Sequence, residues 1–531
     1  MEINSTILTD CRRVTVPEVS PLGVRLTLEL SPPSLQDSRA DVDRLRAAVE
    51  ERSFRPLEIP LDLMRVIPVA CRQGEWRVNV VVARTAGGWR LARVEPGRAH
   101  GPWCGLAVDI GTTTVVASLV DLERGAILGT AADYNGQLPL GEDVLSRICV
   151  ASTPEGLAAL QGAVSETINR LAHELCFRAK VDPGEVFAAA VSANTTMAHL
   201  WLGLDPRRIC RDPYTPIVNC PGVLRMQEVG LALSPAGAVY VVPGVGSYVG
   251  GDVVAGALAA GLLHRDEVCL FVDVGTNAEM VLGNREWLVA CAGAAGPALE
   301  GGVAGHGMRA APGAIWRVRV DPATRRVSYR TIGNLPPVGI CGSGLIDCIA
   351  EFLLAGIVDR AGQFTDGRHE FVLVTAEESS TGSVIAVTQR DIDSFLRTKG
   401  AVNAALETLL AAVGCGLEDL GYLFVAGAFG EYVDLESAVT VGLYPDLPRH
   451  RIVRLGNSAL EGARQVLLSE TCRREAEEIA RRITYFQLNA STEFMGRFAG
   501  SRFLPHTNLD LFPTVKARLE ARRGPAAPGP S

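Results

Sequence analysis

An aspartate, a glycine and three threonines stand close together in Asp109-Ile110-Gly111-Thr112-Thr113-Thr114, between two β-branched apolar runs. Such runs on either side of a small turn predict a strand–turn–strand hairpin over 105–121. The acid then ends a buried strand and Gly111 permits a tight turn. The N–H groups and hydroxyls of Thr112, Thr113 and Thr114 face one point. Convergent donors beside a carboxylate suit a phosphate chain with its magnesium, the acid holding the ion largely through water. A plain Thr-rich core hairpin is the alternative for this stretch alone. A second copy weighs against it, because Asp273-Val274-Gly275-Thr276-Asn277 repeats the pattern within 270–282. A supersecondary unit repeated at a domain-sized offset points to duplication, with two half-sites facing one another. Asp109 and Asp273 are therefore the candidate catalytic and metal-holding acids. Gly111, Thr112, Thr113, Thr114, Gly275, Thr276 and Asn277 form the phosphate-side group. A third element ends in Gly427-Ala428-Phe429-Gly430, a strand running into small residues that let a flat base approach the backbone.

The elements that must position these residues are legible in outline. Residues 22–30 alternate as a strand does, and Pro32 and Pro33 end it. Ser34 with Asp37 reads as the cap of a helix to about 51. Residues 61–71 and strands at 75–84 and 88–95 complete a small α/β unit, whose plainest role is packing or dimerisation, and 97–102 reads as a hinge. After the hairpin come a strand at 126–133 and a helical segment opened by Pro139 to Glu142. An amphipathic helix at 154–180 and a buried strand at 186–192 follow. Asn194 beyond that strand either reaches the site or caps a helix. Gly250 and Gly251 ahead of Asp252 suit a helix amino terminus (252–263) close to a ligand or to another backbone. The second half has strands at 267–273, 278–282, 286–291 and 421–426, a helix from about 339 to 355, a helix through 413 capped by Thr388 and Asp391, and a closing helix at 457–469.

Hairpin, hairpin and glycine-rich strand end resemble the phosphate-1, phosphate-2 and adenosine motifs of the superfamily of acetate and sugar kinases, heat-shock chaperone ATPases and actin. Further stretches narrow the resemblance: Gly141-Glu142-Asp143-Val144-Leu145-Ser146-Arg147, Ala193-Asn194-Thr195-Thr196-Met197, Cys291 to Pro297, Gly307 to Ala310, Gly339 to Asp347, and Gln487 to Ser491. With Gly427 to Gly430, these are similar to the reductive activators of corrinoid proteins over residues 24–515. The resemblance implies an α/β chain of two ribonuclease-H-like subdomains facing across a nucleotide cleft, the actin-like ATPase fold, preceded by a small α/β domain. The implied limits are 1–100, 101–265 and 266–515, with a disordered tail at 516–531. It implies ATP and Mg2+ as cofactors, with Gly342, Ser343 and Gly344 admitting ribose or phosphates and the 293–307 loop lying over the nucleotide or the partner. It also implies ATP-dependent return of an oxidised Co(II) corrinoid to Co(I), on a corrinoid protein or corrinoid methyltransferase.

Composition bounds the alternatives. At 531 residues the chain exceeds one core, and its net charge of −8 offers no general attraction to nucleic acid or anionic lipid. No apolar run has membrane-spanning length and the start lacks a signal pattern, so a cytoplasmic location is expected. The thirteen cysteines are scattered, no two separated by only two residues, which reads as buried free thiols. Set against the resemblance, this implies that the family's iron–sulfur domain is missing and that a separate low-potential donor such as a ferredoxin supplies electrons. Three rival readings remain. One is a small-molecule kinase using Glu142 or Asp143 as the base. The second is a non-redox nucleotide-gated binder or chaperone of a corrinoid methyltransferase. The third is a homodimer sharing a cluster at Cys341 and Cys348. His306, between glycines, is the one histidine singled out.

Overall fold

The computed structural model describes residues 8–97, 101–275, 278–293, 305–321, 324–488 and 491–522, with the side chains of Ala428, Phe429 and Arg522 excepted. Expectations for 98–100, Thr276, Asn277, 294–304, 489–490, 523–531 and the Ala428 and Phe429 side chains lie outside these. The chain divides into two compact units. The first is Cys11–Ala259 with Ser458–Arg481. The second is Ala260–Asn457 with the described residues of Met1–Asp10 and Arg482–Ser531.

The first unit opens with β1 (Gly23–Glu29), α1 (Asp41–Glu50), β2 (Leu57–Glu58), α2 (Leu61–Gln73), β3 (Arg77–Thr85) and β4 (Gly88–Pro96), in a sheet ordered β1-β3-β4-β2. Helix α1 starts later than the Ser34 cap implies. The Ser34 hydroxyl does accept from the Asp37 N–H at 3.1 Å, but within a local turn. The Asp37 carboxylate instead pairs with the buried Arg44 guanidinium at 2.6 Å, a charge-assisted bond that outweighs a cap.

Next come β5 (Cys104–Ile110), β6 (Thr114–Asp121), β7 (Ile127–Tyr134), α3 (Val144–Val150), α4 (Pro154–Ala179), β8 (Val186–Ala193), α5 (Thr195–Trp201), β9 (Gly222–Arg225), β10 (Ala238–Val241) and α6 (Gly251–Ala260). Among the described residues their sheet runs β7-β6-β5-β8-β10-β9. Strand β5 reads as a continuous apolar run because both its faces are covered.

The second unit contains β11 (Val268–Val274), β12 (Ala278–Gly283), β13 (Leu288–Gly293), β14 (Ala314–Val320), β15 (Val327–Thr331), β16 (Gly339–Ile340), α7 (Gly342–Ala355), β17 (Glu370–Val374), β18 (Ile385–Thr388), α8 (Gln389–Ala412), β19 (Leu420–Ala426), α9 (Gly427–Tyr432), α10 (Leu435–Thr440) and β20 (Ile452–Gly456). The chain then returns to the first unit in helices α11 (Ser458–Leu468) and α12 (Glu470–Arg482), and the second unit resumes with β21 (Ile483–Tyr485), α13 (Phe494–Ser501) and α14 (Pro513–Arg522). Its main sheet runs β20-β19-β11-β12-β13-β21 among the described residues. Helix α14 continues through residues assigned to the tail, with Val515 buried and the Thr514 N–H bonded to Asp446 at 2.7 Å.

Read outward from β5 and from β11, the two sheets share one plan. Each central strand has an antiparallel neighbour that continues to a third strand, and on its other side a parallel neighbour. Helix α11 packs against β5 and β8 of the first sheet. It also meets α6 at very short range, since a Cβ on Gly462 would lie 2.3 Å from the Ala255 carbonyl oxygen. Gly462→Ala is therefore expected to lower stability by about 1–3 kcal/mol, measured as a shifted denaturant midpoint. A midpoint unchanged from the parent would remove this contact from the account.

Candidate functional site

Asp109 and Asp273 occupy the same place in the two sheets. Each is the penultimate residue of its central strand and half-buried. Asp109 stands opposite Val116 on the antiparallel side and Ser192 on the parallel side; Asp273 stands opposite Glu279 and Ala426. The repeat seen in the sequence is thus a repeat of register.

The turn after Asp109 is held from within the first unit. Gly111 N–H donates to Thr114 O at 2.9 Å and closes it. The three carbonyls of the turn all find donors: Gly111 O from Asn135 Nδ2 (2.9 Å), Thr112 O from Arg147 Nη2 (2.6 Å), and Thr113 O from the Asn135 N–H (2.9 Å). Among the described residues the N–H groups of Thr112 and Thr113 have no intramolecular acceptor. Carbonyls tied down on one side and N–H groups left without partners on the other are what a backbone anion site requires.

Asn194 fills both roles offered for it. Its Oδ1 accepts from Met197 N–H at 2.9 Å and caps α5, while Nδ2 donates to the Thr112 hydroxyl at 3.2 Å. Behind it, buried His199 lies 2.7 Å from Thr195 O through Nδ1 and accepts from Ile217 N–H at Nε2. Nδ1 therefore carries the proton, and burial lowers the ring's pKa. Gly250 and Gly251 approach backbone: a Cβ on them would lie 2.5 Å from Asn194 Cα and from Val242 O respectively.

Glu142 is exposed, just ahead of α3. Asp143 caps that helix, accepting from Ser146 N–H at 2.7 Å, and this bond holds its carboxyl below the usual range. Committed to the cap, Asp143 leaves Glu142 as the acid of the pair with a free role.

In the second unit the strand end and the acid meet. A Cβ on Gly427, whose φ is +81°, would lie 2.9 Å from Asp273 Oδ1 and 3.0 Å from Val274 O. Only glycine accommodates that approach without strain. Gly430 packs tightly on the Val425 side chain, whereas a Cβ on Gly275 would meet open space. Gly342 and Gly344 are buried at the start of α7, with Ser343 half-buried beside them. Gly344 serves packing, since its Cβ would come within 2.2 Å of Ile315 O. Asp347 on the same helix is anchored in a polar network with Arg317, Arg319 and Asp434, and burial pushes its carboxyl up to about 6.

Other singled-out residues are structural. His306 contributes its carbonyl to the Ile340 N–H. Cys341 and Cys348 are buried, and burial raises the Cys348 thiol well above its ordinary value. Their placement gives the interface-cluster reading no support, and among the described residues no group of three or more His, Cys, Asp or Glu is arranged to hold a metal ion. The sequence reading missed Asn135 and Gln137, and it quoted Arg147 without a role. Polar residues at Asn135-Gly136-Gln137, directly after an alternating strand, were the available signal. Among the described residues no helix is long and apolar enough to cross a membrane.

Two sheets of one plan, each presenting an acid at the same register position, define an actin-like ATPase. Three family models match in sequence order: the RACo linker region over 16–101, the RACo middle region over 104–265, and the C-terminal domain of RACo, the ASKHA domain, over 267–516. The chain is 31% identical over 442 residues to the corrinoid activation enzyme RamQ of Eubacterium limosum, covering 80% of this chain and 73% of that one. It is 30% identical over 421 residues to the Co(II) methylated amine-specific corrinoid protein reductase of Methanosarcina barkeri, covering 73% and 74%. A solved reductive activator for corrinoid, iron–sulfur protein superposes with a TM-score of 0.85 at 43% identity, covering 96% of this chain and 83% of that one. The chain belongs to the RACo family of reductive activators of corrinoid proteins.

The two duties of Asn194 are separable. Asn194→Ala is expected to cost about 1 kcal/mol through the lost cap, whereas Asn194→Asp keeps the accepting oxygen and should cost less. Denaturant unfolding compares them; equal losses would mean that the cap is not what the residue contributes.

Proposed function

We propose that this protein is an ATP-dependent reductive activator that returns the Co(II) corrinoid of a corrinoid protein or corrinoid methyltransferase to Co(I). The observation that carries the reading is the match to activators along nearly the whole chain, in one order. The local geometry supports nucleotide binding, because the unpaired Thr112 and Thr113 N–H groups beside Asp109 fit a phosphate chain.

Asp109 and Asp273 would hold the magnesium, partly through water. Gly111, Thr112, Thr113, Thr114, Gly275, Thr276 and Asn277 would bind the phosphates. Gly342, Ser343 and Gly344, and Gly427, Ala428, Phe429 and Gly430, would lie on the nucleoside side. Glu142 would orient the attacking water. Magnesium-bound ATP supplies the driving force: one-electron transfer costs about 1.4 kcal/mol for each ~59 mV climbed. Nucleotide binding can meet that cost only by favouring one docked state of the partner over another. A separate low-potential carrier such as a ferredoxin delivers the electron.

The test mixes a Co(II) corrinoid protein with a low-potential donor and follows Co(I) absorbance. Co(I) is expected only when ATP and this protein are both present, and Asp109→Asn or Asp273→Asn should each lower the rate at least ~10-fold, the loss of a positioned charge contact. A Co(I) yield indifferent to ATP and to this protein would defeat the reading. A phosphorylated metabolite would transfer it to the kinase alternative.

A further inference from the structure

Arg147 is fully buried and its hydrogen bonds reach no carboxylate among the described residues, although the charge of exposed Asp143, four residues earlier at the cap of the same helix, acts on it and favours its protonated form. Every contact it makes is to a neutral acceptor. Nη2 donates to Thr112 O (2.6 Å), Nε to Gly141 O (2.8 Å), and Nη1 to Gln137 Oε1 (3.1 Å), with Met197 Sδ also 3.1 Å from Nη1. Gln137 is itself fully buried and donates through Nε2 to Leu160 O (2.9 Å). Its backbone N–H reaches Asn135 Oδ1 (3.0 Å), and Asn135 holds the other two carbonyls of the turn. The guanidinium thus crowns a neutral polar floor directly beneath the turn whose N–H groups lack partners.

Burying a cation whose hydrogen-bond partners are all neutral is costly, and an anion held at the turn would offset that cost. The turn itself, Gly111 to Thr114, carries no lysine or arginine. Deepening the nucleotide reading above, and resting on it, we propose that Arg147 is the positioning residue of the phosphate turn. It orients the Thr112 peptide and supplies, from behind the backbone, the fixed positive charge that discriminates the triphosphate from less charged nucleotides. Burial lowers its pKa to about 10, so it stays protonated at neutral pH.

A purely structural floor would weaken all nucleotides alike, whereas a fixed charge weakens them in order of their own charge. Calorimetric titration of ATP, ADP and AMP into the full chain separates the two. Arg147→Gln is expected to weaken ATP ~10-fold or more and AMP less than ~3-fold, with Arg147→Lys recovering part of the ATP affinity. Gln137→Glu keeps the arginine but places a counter-charge against Nη1, so it should also weaken ATP selectively, even if Arg147→Gln fails to fold. Equal loss for ATP and AMP in these variants, or no loss in Gln137→Glu, overturns the proposal. Failure of the parent chain to bind ATP at all would instead defeat the nucleotide reading on which the proposal rests.

Discussion

Three consecutive peptide carbonyls, those of Gly111, Thr112 and Thr113, point into the first unit and must be satisfied there. A buried carbonyl without a donor costs on the order of 1–3 kcal/mol, so the turn exists in this form only because Asn135 and Arg147 meet it. Much of the first unit can be understood as what places those donors. Strand β7 ends at Tyr134 and delivers Asn135, Gln137 anchors itself to the α4 backbone at Leu160, and α3 carries Arg147. On the other side, β8 ends at Ala193 and sets Asn194 as cap of α5 and donor to Thr112. Stretches far apart in sequence, 109–114, 135–147 and 193–199, thereby become one polar assembly.

The second unit meets the same requirement with a different device. Asp273 is at the register position of Asp109, but what crowds it is the end of β19, where Gly427 runs past at a distance no other residue tolerates. The strand pairing is the same in the two units, and the surroundings differ. The same economy of space appears at Gly462 against Ala255 and at Gly344 against Ile315, where a hydrogen stands in for a side chain so that helix and neighbouring backbone can close up.

How activators of this family spend a nucleotide is a matter of states. An electron moves uphill only if the docked, reducible arrangement is more favourable with ATP than without it, and that preference must originate in groups that feel the phosphates. In the function proposed above the Thr112 peptide is such a group: one end of it bears an unpaired N–H, and the other is bonded to a buried cation. Thr112 is bonded to α3 through its carbonyl and Arg147 (2.6 Å), and to the cap of α5 through its hydroxyl and Asn194 (3.2 Å).

The sequence by itself determined the turn after Asp109, the pairing of the strands that flank both Asp-x-Gly-Thr stretches, most other strands, and the long helices. These follow from local periodicity, turn chemistry and a repeat, all written within short windows. It misplaced the start of α1, because whether Asp37 caps a helix or pairs with Arg44 depends on which cation the fold brings within reach. It left Asn194 undecided, since both uses are compatible with its local context. It read Gly344 only as room for a ligand and did not see that the same glycine lets α7 close against Ile315. Above all it had no means of seeing that Arg147, quoted only as the end of a motif, lies under Thr112. Burial and the pairing of a charge are properties of distances between remote parts of the chain, and only the tertiary structure decides them.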